Sequence, residues 1–518
     1  MSASREKKQR QNAGPNQKAL KAQQEQAARK HKTIVYSIVG AVAAVLVIAL
    51  LVWRTGFFQA RSTAATVGDE NLTTAQLSYY YHTIRNNFIN SYYGSFMGFD
   101  NTKPDDEQIY DPTSGQTYRD YFMELALDNA QFAYALEREA LNSGHTEDEI
   151  KDDLATAIAN AKSAASRSGV SYSSYLRLVY GSYMSTGVFE RELTRNLMAN
   201  LVNNEKYNTL YDSYAQTDLE DYYKENADSL DTIEYSYLYF STPFVDTKDE
   251  DGNELDEDKA QELKDQAKAE TKEKAEEALE AVKSGSTFAT QAGKYELTSS
   301  GDHTTVVGTN SVPSAYREQL LELAKDECDL VEVDGGYYVI SFHDRYLEDA
   351  PTQDVRHILA LAESTTDESG NSVAPTDDAW AAAKAKMDEI QTAWDSSDKT
   401  EEAFAKLANE KSDDGDGTTG GLYTRVPKNP AYGSFVSELD TWMYDSSRQP
   451  GDVAMIQHNE EGGSYYGYHL IYYVGENEPV WMSTARSSLA GTALDEWEDG
   501  IFTNYPTAES GGASYLGK

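Results

Sequence analysis

The chain has 518 residues, of which 40% are hydrophobic and 11% aromatic, and its formal net charge is −41 at pH 7. Such a length is too great for one core and predicts two to four domains, and the apolar content excludes wholesale disorder. Residues 1–33 carry nine Lys and Arg against two Glu, a local charge of +7 that leaves −48 on the rest. So acidic a body repels phosphate backbones and argues against nucleic acid as a partner.

An uncharged stretch from Ile34 to Trp53 follows the basic tail. Twenty helical residues span roughly 30 Å, the thickness of a bilayer core, so the stretch predicts a transmembrane helix. The positive-inside rule places residues 1–33 in the cytoplasm and the bulk of the chain outside. Cleavage as a signal peptide near Ser62–Ala65 stays open. The single cysteine, Cys328, excludes an intrachain disulfide, a cysteine-based metal site and a lipid anchor after the apolar run.

Helical patterns dominate the next part of the chain. A short strand is predicted over Thr66–Leu72, and Thr73 or Thr74 caps the helix that follows. Further helices are predicted over Tyr118–Ser143, His145–Ser168, Ser171–Thr186, Gly187–Gln216 and Thr217–Asn226. These elements indicate a mainly helical domain over residues 66–228.

The pattern then changes to two similar α+β segments in succession. In the first, the strand Ile233–Ser241 precedes an acidic loop, helices over Asp258–Ser284 and Phe288–Tyr295, and a closing strand over Tyr337–Phe342. The second repeats this layout with Val355–Ala362, Thr376–Ser396, Glu401–Lys411 and His469–Val474. We therefore predict two copies of one module, over residues 231–347 and 352–476.

The chain ends with one more helix and a polar tail. Apolar residues at four-residue steps predict an amphipathic helix over Trp481–Ile501. Residues 502–518 are rich in Gly and Ser and predict a flexible tail.

The second module resembles the parvulin family of peptidyl-prolyl isomerases. Five blocks carry the resemblance: RHIL at 356–359, FAKLANEKSDD at 404–414, GGL at 420–422, PGD at 450–452 and GYHLI at 467–471. The resemblance implies cis–trans isomerisation of X–Pro peptide bonds, without a cofactor or a metal.

The same resemblance implies the site residues. His357 and His469 would lie in the floor of the site, and Asp413 stands seven residues before Gly420, where the family has Cys or Asp. For the proline pocket it implies Leu422, Phe435, Leu439 and Ser464. An alternative register would use Ala431 and Phe435 instead of Phe435 and Leu439.

The first module is expected to be a degenerate copy without activity, because Ser236 and Tyr338 stand where the second module has its histidines. The helical region resembles the chaperone domain of the SurA and PrsA foldases, through VGDENLTTAQL at 67–77, YGSYM at 180–184 and TDLEDYYKENAD at 217–228. This resemblance implies that the C-terminal helix packs back on that domain. The tyrosines Tyr79, Tyr80, Tyr81, Tyr92 and Tyr93 could form either a client-binding surface or core.

Together these features predict a membrane-anchored foldase outside the cytoplasm. It would isomerise X–Pro bonds in exported polypeptides and bind unfolded clients. The alternative is a chaperone that keeps the parvulin fold but binds clients without catalysis.

Overall fold

The structure, a computed structural model, describes residues 36–47, 52–91, 94, 96–248, 255–366, 372–415, 417–433, 435–459 and 465–518. The basic tail and Ser464 lie outside these residues. The chain divides into two compact units, one of residues 1–210 with 490–518 and one of residues 211–489. The last segment of the chain therefore returns to the first unit.

Within the described part of the chain, one helix is long and apolar enough to cross a membrane, judged by length and composition. It runs over Tyr36–Arg54, and its apolar window is not buried within the protein. The predicted span Ile34–Trp53 covers the same segment, although residues 34–35 and 48–51 lie outside the described part. This helix is a candidate membrane anchor.

The first unit consists mainly of helices. Its elements up to residue 213 are α1 (Phe57–Arg61), β1 (Thr63–Val67), β2 (Glu70–Thr73), α2 (Thr74–Asn90), β3 (Ile109–Asp111), β4 (Gln116–Thr117), α3 (Tyr118–Asn142), α4 (Lys151–Arg167), α5 (Tyr172–Tyr180) and α6 (Thr186–Ser213). Thr73 closes a capping box with Gln76, and Thr117 closes one with Asp120, so the first backbone N–H groups of α2 and α3 are satisfied. The strand predicted over Thr66–Leu72 is instead the β1–β2 hairpin.

The second unit begins with α7 (Gln216–Leu230) and contains two α+β modules. The first module comprises β5 (Thr232–Ser241), α8 (Glu257–Lys283), α9 (Phe288–Lys294), β6 (Ser300–Val307), α10 (Arg317–Glu322), β7 (Cys328–Val333) and β8 (Gly336–Tyr346). The second comprises β9 (Thr352–Leu361), β10 (Thr365–Thr366), β11 (Ser372–Val373), α11 (Asp377–Asp395), α12 (Glu401–Lys411), β12 (Leu422–Val426), α13 (Ser437–Met443), β13 (Val453–His458) and β14 (Gly467–Asn477). Their main sheets have the equivalent orders β6-β5-β8-β7 and β12-β9-β14-β13, which confirms the predicted repeat.

Each main sheet buries its two faces differently. In the second module Ile358 and Leu470 face the helices α11 and α12, where Met387 and Phe404 complete the core. Because side chains alternate along a strand, the neighbouring residues His357 and His469 lie on the opposite face. The short α13 and the chain before it pack on that second face, which we call the open face because the longer helices α11 and α12 lie on the other.

The chain ends with α14 (Val480–Phe502) and β15 (Thr507–Glu509). Trp497 and Ile501, near the end of α14, pack against Leu136 and Met198 of the first unit's helices. The C-terminal helix thus returns to the helical unit, as predicted.

The composition of residues 502–518 predicts a flexible tail, and here the structure differs. Strand β15 pairs antiparallel with β1, and Ala513 and Leu516 are buried in the core of the first unit. A Cβ on Gly512 would lie 2.7 Å from the carbonyl oxygen of Thr63, so glycine permits a close backbone approach. The small residues of this segment therefore allow the backbone to pack closely against the first unit.

Two of the five tyrosines that could have formed a client surface belong to the core. Tyr80 and Tyr81 are buried among Phe122, Met123 and other apolar side chains. Tyr79 is half-buried, and Tyr92 and Tyr93 lie outside the described residues. For Tyr80 and Tyr81 the alternative of ordinary core is correct.

Candidate active site

Two histidines meet on the open face of the second module's sheet. Strands β9 and β14 are antiparallel neighbours, with His469 opposite Leu359 and His357 opposite Ile471. This register brings Nε2 of His357 to 2.6 Å from Nδ1 of His469, with the rings stacked at 4.8 Å. Both side chains are buried. The structure thus brings together the two histidines predicted for the site.

The carboxylate beside this pair belongs to Asp414 and not to the predicted Asp413. Oδ2 of Asp414 lies 3.2 Å from Nδ1 of His357, and it also accepts a 2.6 Å hydrogen bond from the hydroxyl of Tyr423. The carboxylate of Asp413 instead accepts from the amide of Leu361 and from Lys386. The seven-residue spacing used for the prediction also fits Asp414 when it is counted from Gly421, the second glycine of the pair.

Local backbone contacts place Asp414. The hydroxyl of Ser412 accepts hydrogen bonds from the amides of Asp414 and Leu359, which ties the loop to β9. Gly421 has a φ of +66°, and a Cβ there would lie 2.2 Å from the carbonyl oxygen of His357. Only glycine allows the chain to pass so close to the strand, while the carbonyl of Gly421 accepts from the amide of His357.

The electrostatics of the site keep Asp414 charged and His469 neutral. The hydrogen bond from His357, aided by the one from Tyr423, lowers the pKa of Asp414 to about 2 against the cost of burial. Burial, with His357 and His458 nearby, lowers the pKa of His469 to about 3. Burial and the bond to Asp414 raise the pKa of Tyr423 to about 12, so its hydroxyl stays a donor. At neutral pH the carboxylate of Asp414 is therefore negatively charged, and the imidazole of His469 is neutral.

The predicted pocket residues are placed differently from one another. The ring of Phe435 stands edge-on to His357 at 5.9 Å and to Tyr423 at 4.8 Å, so it lines the site. Leu439 is fully buried in the core under α13. In the β12–β9 register Leu422 lies opposite Arg356, on the other face of the sheet.

The register of β12 places Tyr423, which was not among the predicted residues, at the side of the site. Tyr423 lies opposite Val355, on the face that carries His357, and its ring centroid is 6.0 Å from that of His357. A one-residue shift in a strand moves every side chain to the other face, and the irregular β12 shows no clear alternation from which this could be predicted. Ser464, the remaining predicted residue, is not described.

Tyrosines occupy the corresponding place in the first module. Strands β5 and β9 both have ten residues, and Tyr237 and His357 are each the sixth. Tyr237 pairs with Ile340 as His357 pairs with Ile471, so the counterpart of the first histidine is Tyr237 and not Ser236. Tyr338 is the third residue of β8, as His469 is of β14.

The tyrosine cluster fills the space of a site. Buried Tyr316 packs at 6.1 Å from Tyr237 and 4.8 Å from Tyr338. The hydroxyl of Ser236, by contrast, is bonded to Nε2 of His343 on the other side of the strand, at 2.7 Å. The first module therefore has no histidine pair on its open face among the described residues.

One group of potential metal ligands occurs among the described residues, in the first unit. His145, Glu149 and Glu205 have ligand atoms within 4.8 Å of one another. Both imidazole nitrogens of His145 already pair with these carboxylates, at 3.0 and 3.2 Å. These contacts form a surface ion-pair cluster and account for the arrangement without a metal.

Comparisons with known families identify both modules. Residues 254–346 and residues 357–474 each match a family described as PPIC-type PPIase domain. A search of curated proteins finds no match.

Solved structures with similarity to the chain include three PrsA proteins. They are a peptidylprolyl isomerase (PrsA) from Bacillus anthracis (12% identity, 42% of this chain and 76% of that one, TM-score 0.17), the foldase protein PrsA from Streptococcus pneumoniae (15%, 42% and 68%, 0.17) and PrsA from Bacillus subtilis (14%, 46% and 78%, 0.15). TM-scores this low carry no argument about function, which here depends on the two domain matches and on the site.

Proposed function

We propose, from the two PPIC-type peptidyl-prolyl isomerase domains that this chain carries, that the second is the active one and that it isomerises X–Pro bonds in exported polypeptides. The observation that supports this assignment is the chain of hydrogen bonds from Asp414 through His357 to His469. The first domain, with tyrosines in the corresponding places, serves as scaffold or client surface.

Isomerisation of an X–Pro bond is a rotation about one amide C–N bond. Resonance gives the C–N bond its double-bond character and a barrier of about 18–20 kcal/mol. The dipolar resonance form puts negative charge on the carbonyl oxygen, and a nearby carboxylate disfavours that form. Asp414, held ionised by His357 and Tyr423, supplies this charge, and the amide loses conjugation more easily.

The neighbouring side chains hold the substrate and exclude water. Phe435 and Tyr423 offer aromatic faces beside His357 on which a proline ring can rest. The buried histidines take no proton from the substrate; they fix the orientation of Asp414. No covalent intermediate is needed.

The proposed setting is the outer side of a membrane. The helix Tyr36–Arg54 anchors the chain, the basic residues 1–33 stay in the cytoplasm, and the acidic remainder works outside. The helical domain proposed for residues 66–228 binds unfolded clients and presents them to residues 352–476. Carbonate-resistant membrane association, and digestion of the bulk of the chain by protease added outside intact cells, would support this topology.

Two adjacent aspartates allow a matched test of the activity. In the full chain, Asp414→Ala is expected to lower kcat/KM for an Ala–Pro peptide by about tenfold or more, equivalent to ~1.4 kcal/mol. Asp413→Ala, whose carboxylate faces Lys386, is the control and is expected to stay within about twofold.

The outcomes separate the proposals. Equal activity in both variants would exclude Asp414 as the catalytic carboxylate. An inactive wild-type chain that still suppresses aggregation of unfolded proteins would support the non-catalytic chaperone instead. Isomerase activity that persists in an Asp414→Ala, His357→Ala, His469→Ala triple variant would show that groups outside this constellation carry the activity.

A further inference from the structure

The turn that precedes Phe435 lies against the first module. It is a short 3₁₀ turn over Pro430–Tyr432, and it contacts β6. Asn429 closes the turn, since its carbonyl accepts a hydrogen bond from the amide of Tyr432. Both modules belong to one compact unit, residues 211–489. Tyr432 stands three residues before Phe435, so a segment that contacts the first module leads directly into the site of the second.

The hydroxyl of Tyr432 makes two hydrogen bonds, to the first module and to the helix before it. Its oxygen lies 3.2 Å from Oγ1 of Thr232, at the start of β5, and 3.3 Å from the carbonyl oxygen of Leu230, at the end of α7. A carbonyl can only accept, so the phenol proton faces Leu230 and the hydroxyl of Thr232 donates to Tyr432. Carbonyls at the end of a helix lack a partner within the helix. Thr232 and Leu230 are buried, so each bond satisfies a polar group with little access to water.

The surface that receives Tyr432 is fixed by several elements. Asp231, between the two partners of Tyr432, accepts from Nε of Arg345 on β8 at 2.7 Å and from the hydroxyl of Tyr223 on α7 at 2.8 Å. The carbonyl of Asp231 accepts from the amide of Gly308 at 2.8 Å. All these partners precede the second module in the chain, so this docking surface is built without residues of the second module.

Phe435 is held from its other side by its own module. Its amide donates to the carboxyl of Asp440 on α13, and Leu439 of the same helix is buried in the core of the second module. Between this anchor and Tyr432, Gly433 has a φ of +103°, and a Cβ on it would meet no atom of the described residues within 4 Å. Packing at Gly433 therefore does not restrain the connection, and the position of the Phe435 ring depends on the anchors at both ends.

We propose that Tyr432 is a positioning residue of the isomerase site, through which the first module holds the ring of Phe435 beside His357. That ring stands edge-on to His357 at 5.9 Å, where the proposed function places the proline ring of the substrate. Loss of the Tyr432 contact loosens this side of the site but leaves Asp414 and its hydrogen bonds in place. The inference rests on the proposed function of the second module, and it gives the first module a specific part in substrate binding.

Removing a single hydroxyl tests the role of Tyr432. For the full chain acting on an Ala–Pro peptide, Tyr432→Phe is expected to raise KM about threefold and to change kcat by less than about twofold, because binding is weakened while the charge of Asp414 is kept. Tyr346→Phe is the matched control, since the hydroxyl of Tyr346 bonds at 2.9 Å to Glu234 within the first module, and both constants should stay at their wild-type values. A Tyr432→Phe variant with the KM of the wild type, or a control that raises KM equally, would overturn the proposal.

A substitution on the first module shows whether the contact itself is responsible. Thr232→Val removes the donor to Tyr432 and is expected to raise KM about twofold. The double variant Thr232→Val, Tyr432→Phe should have a KM no higher than that of Tyr432→Phe alone, because residues that share one interaction do not contribute independently. Effects that multiply would show that the two residues act separately, and would contradict the coupling between the modules.

A binding measurement separates this inference from the proposed activity. The Kd of the same peptide, measured by NMR titration, should rise about threefold in Tyr432→Phe and stay constant in Tyr346→Phe. This difference supports the positioning role even if the wild type shows no turnover, in which case only the proposed catalysis fails. An unchanged Kd in Tyr432→Phe would refute the positioning role whatever the turnover, and a wild type that does not bind the peptide would refute both proposals.

Discussion

The residues of the site divide into those that are ionised and those that burial keeps neutral. Asp414 is charged because two donors, His357 and Tyr423, satisfy its carboxylate. His469 is neutral because no carboxylate contacts it directly and water does not reach it. The arrangement predicts a pH dependence of stability.

Replacing His469 should remove part of the acid sensitivity of folding. Its pKa is about 3 in the folded protein against 6.5 in a solvated chain, so between these values the unfolded state binds more protons. The contribution of His469 to the free energy of unfolding is therefore fully present above pH 6.5 and is lost as pH falls toward 3, by at most about 1.4 kcal/mol per pH unit. Urea unfolding of the wild type and of His469→Asn between pH 4 and pH 7 measures the difference in slope.

The control for this prediction is His303→Asn, at an exposed histidine whose positive φ of 55° asparagine tolerates. Its slope should equal that of the wild type. If His469→Asn and wild type lose stability in parallel, then His469 does not titrate as its burial implies.

At the scale of elements, a glycine positions the site, and a short C-terminal strand pairs with the first strand of the first unit. The GGL block carries Gly421, whose backbone lies against β9, and β15, followed by the Gly/Ser-rich segment 510–514, joins the sheet of β1. Both features were visible as glycine-containing segments. Composition suggested a flexible tail for residues 502–518, whereas both segments make close backbone contacts.

Gly421→Ala should disrupt the site. The new methyl group would meet the carbonyl oxygen of His357, and the φ of +66° adds strain, so we expect a loss of at least 2 kcal/mol in the free energy of unfolding and of most isomerase activity. Gly415→Ala is a matched control in the same loop, because its φ is +79° but no atom lies within 4 Å of its Cβ. It should lose only about 1 kcal/mol. Thermal unfolding and peptide turnover measure both, and equal effects would mean that the contact with β9 is unimportant.

Leu516→Ala tests whether the end of the chain is part of the core. Leu516 is 2% exposed, so its truncation is expected to destabilise the protein by about 2–4 kcal/mol. Leu141→Ala, at a residue that is 51% exposed, should change stability by less than about 0.5 kcal/mol. Differential scanning calorimetry compares them. A Leu516→Ala variant as stable as the wild type would contradict this packing and support the flexible tail that the composition predicts.

At the scale of the whole molecule, the first unit is held by apolar packing around a buried charged network. Arg195 pairs with Glu137 at 2.6 Å and with Glu192 at 2.7 Å, and Tyr80 donates to Glu192 at 2.9 Å. All three charged residues are buried, so water has almost no access to them. Nothing in the helical periodicity distinguishes them from the surface charges that surround them in sequence.

Arg195→Ala should be strongly destabilising because it leaves the buried Glu192 without a cation, and Glu137 with only its ion pair to the half-exposed Arg191. The expected loss is about 3–5 kcal/mol in the free energy of unfolding. Arg138→Ala, which breaks an exposed pair with Glu70, is the control and should cost less than about 1 kcal/mol. Urea titrations of the full chain compare the two, and similar midpoints would show that the buried network adds little.

The sequence by itself determined the apolar span, the order of helices and strands, the repeated module and the two histidines, because these depend on local periodicity and on blocks of adjacent residues. Only the tertiary structure decided that Asp414 replaces Asp413, that Tyr423 replaces Leu422 on the site's face, that Tyr237 replaces Ser236 in the first module, and that residues 507–516 are packed. Each of these depends on strand register or on a contact between distant segments. A shift of one residue there reverses the face of a side chain without changing any local pattern.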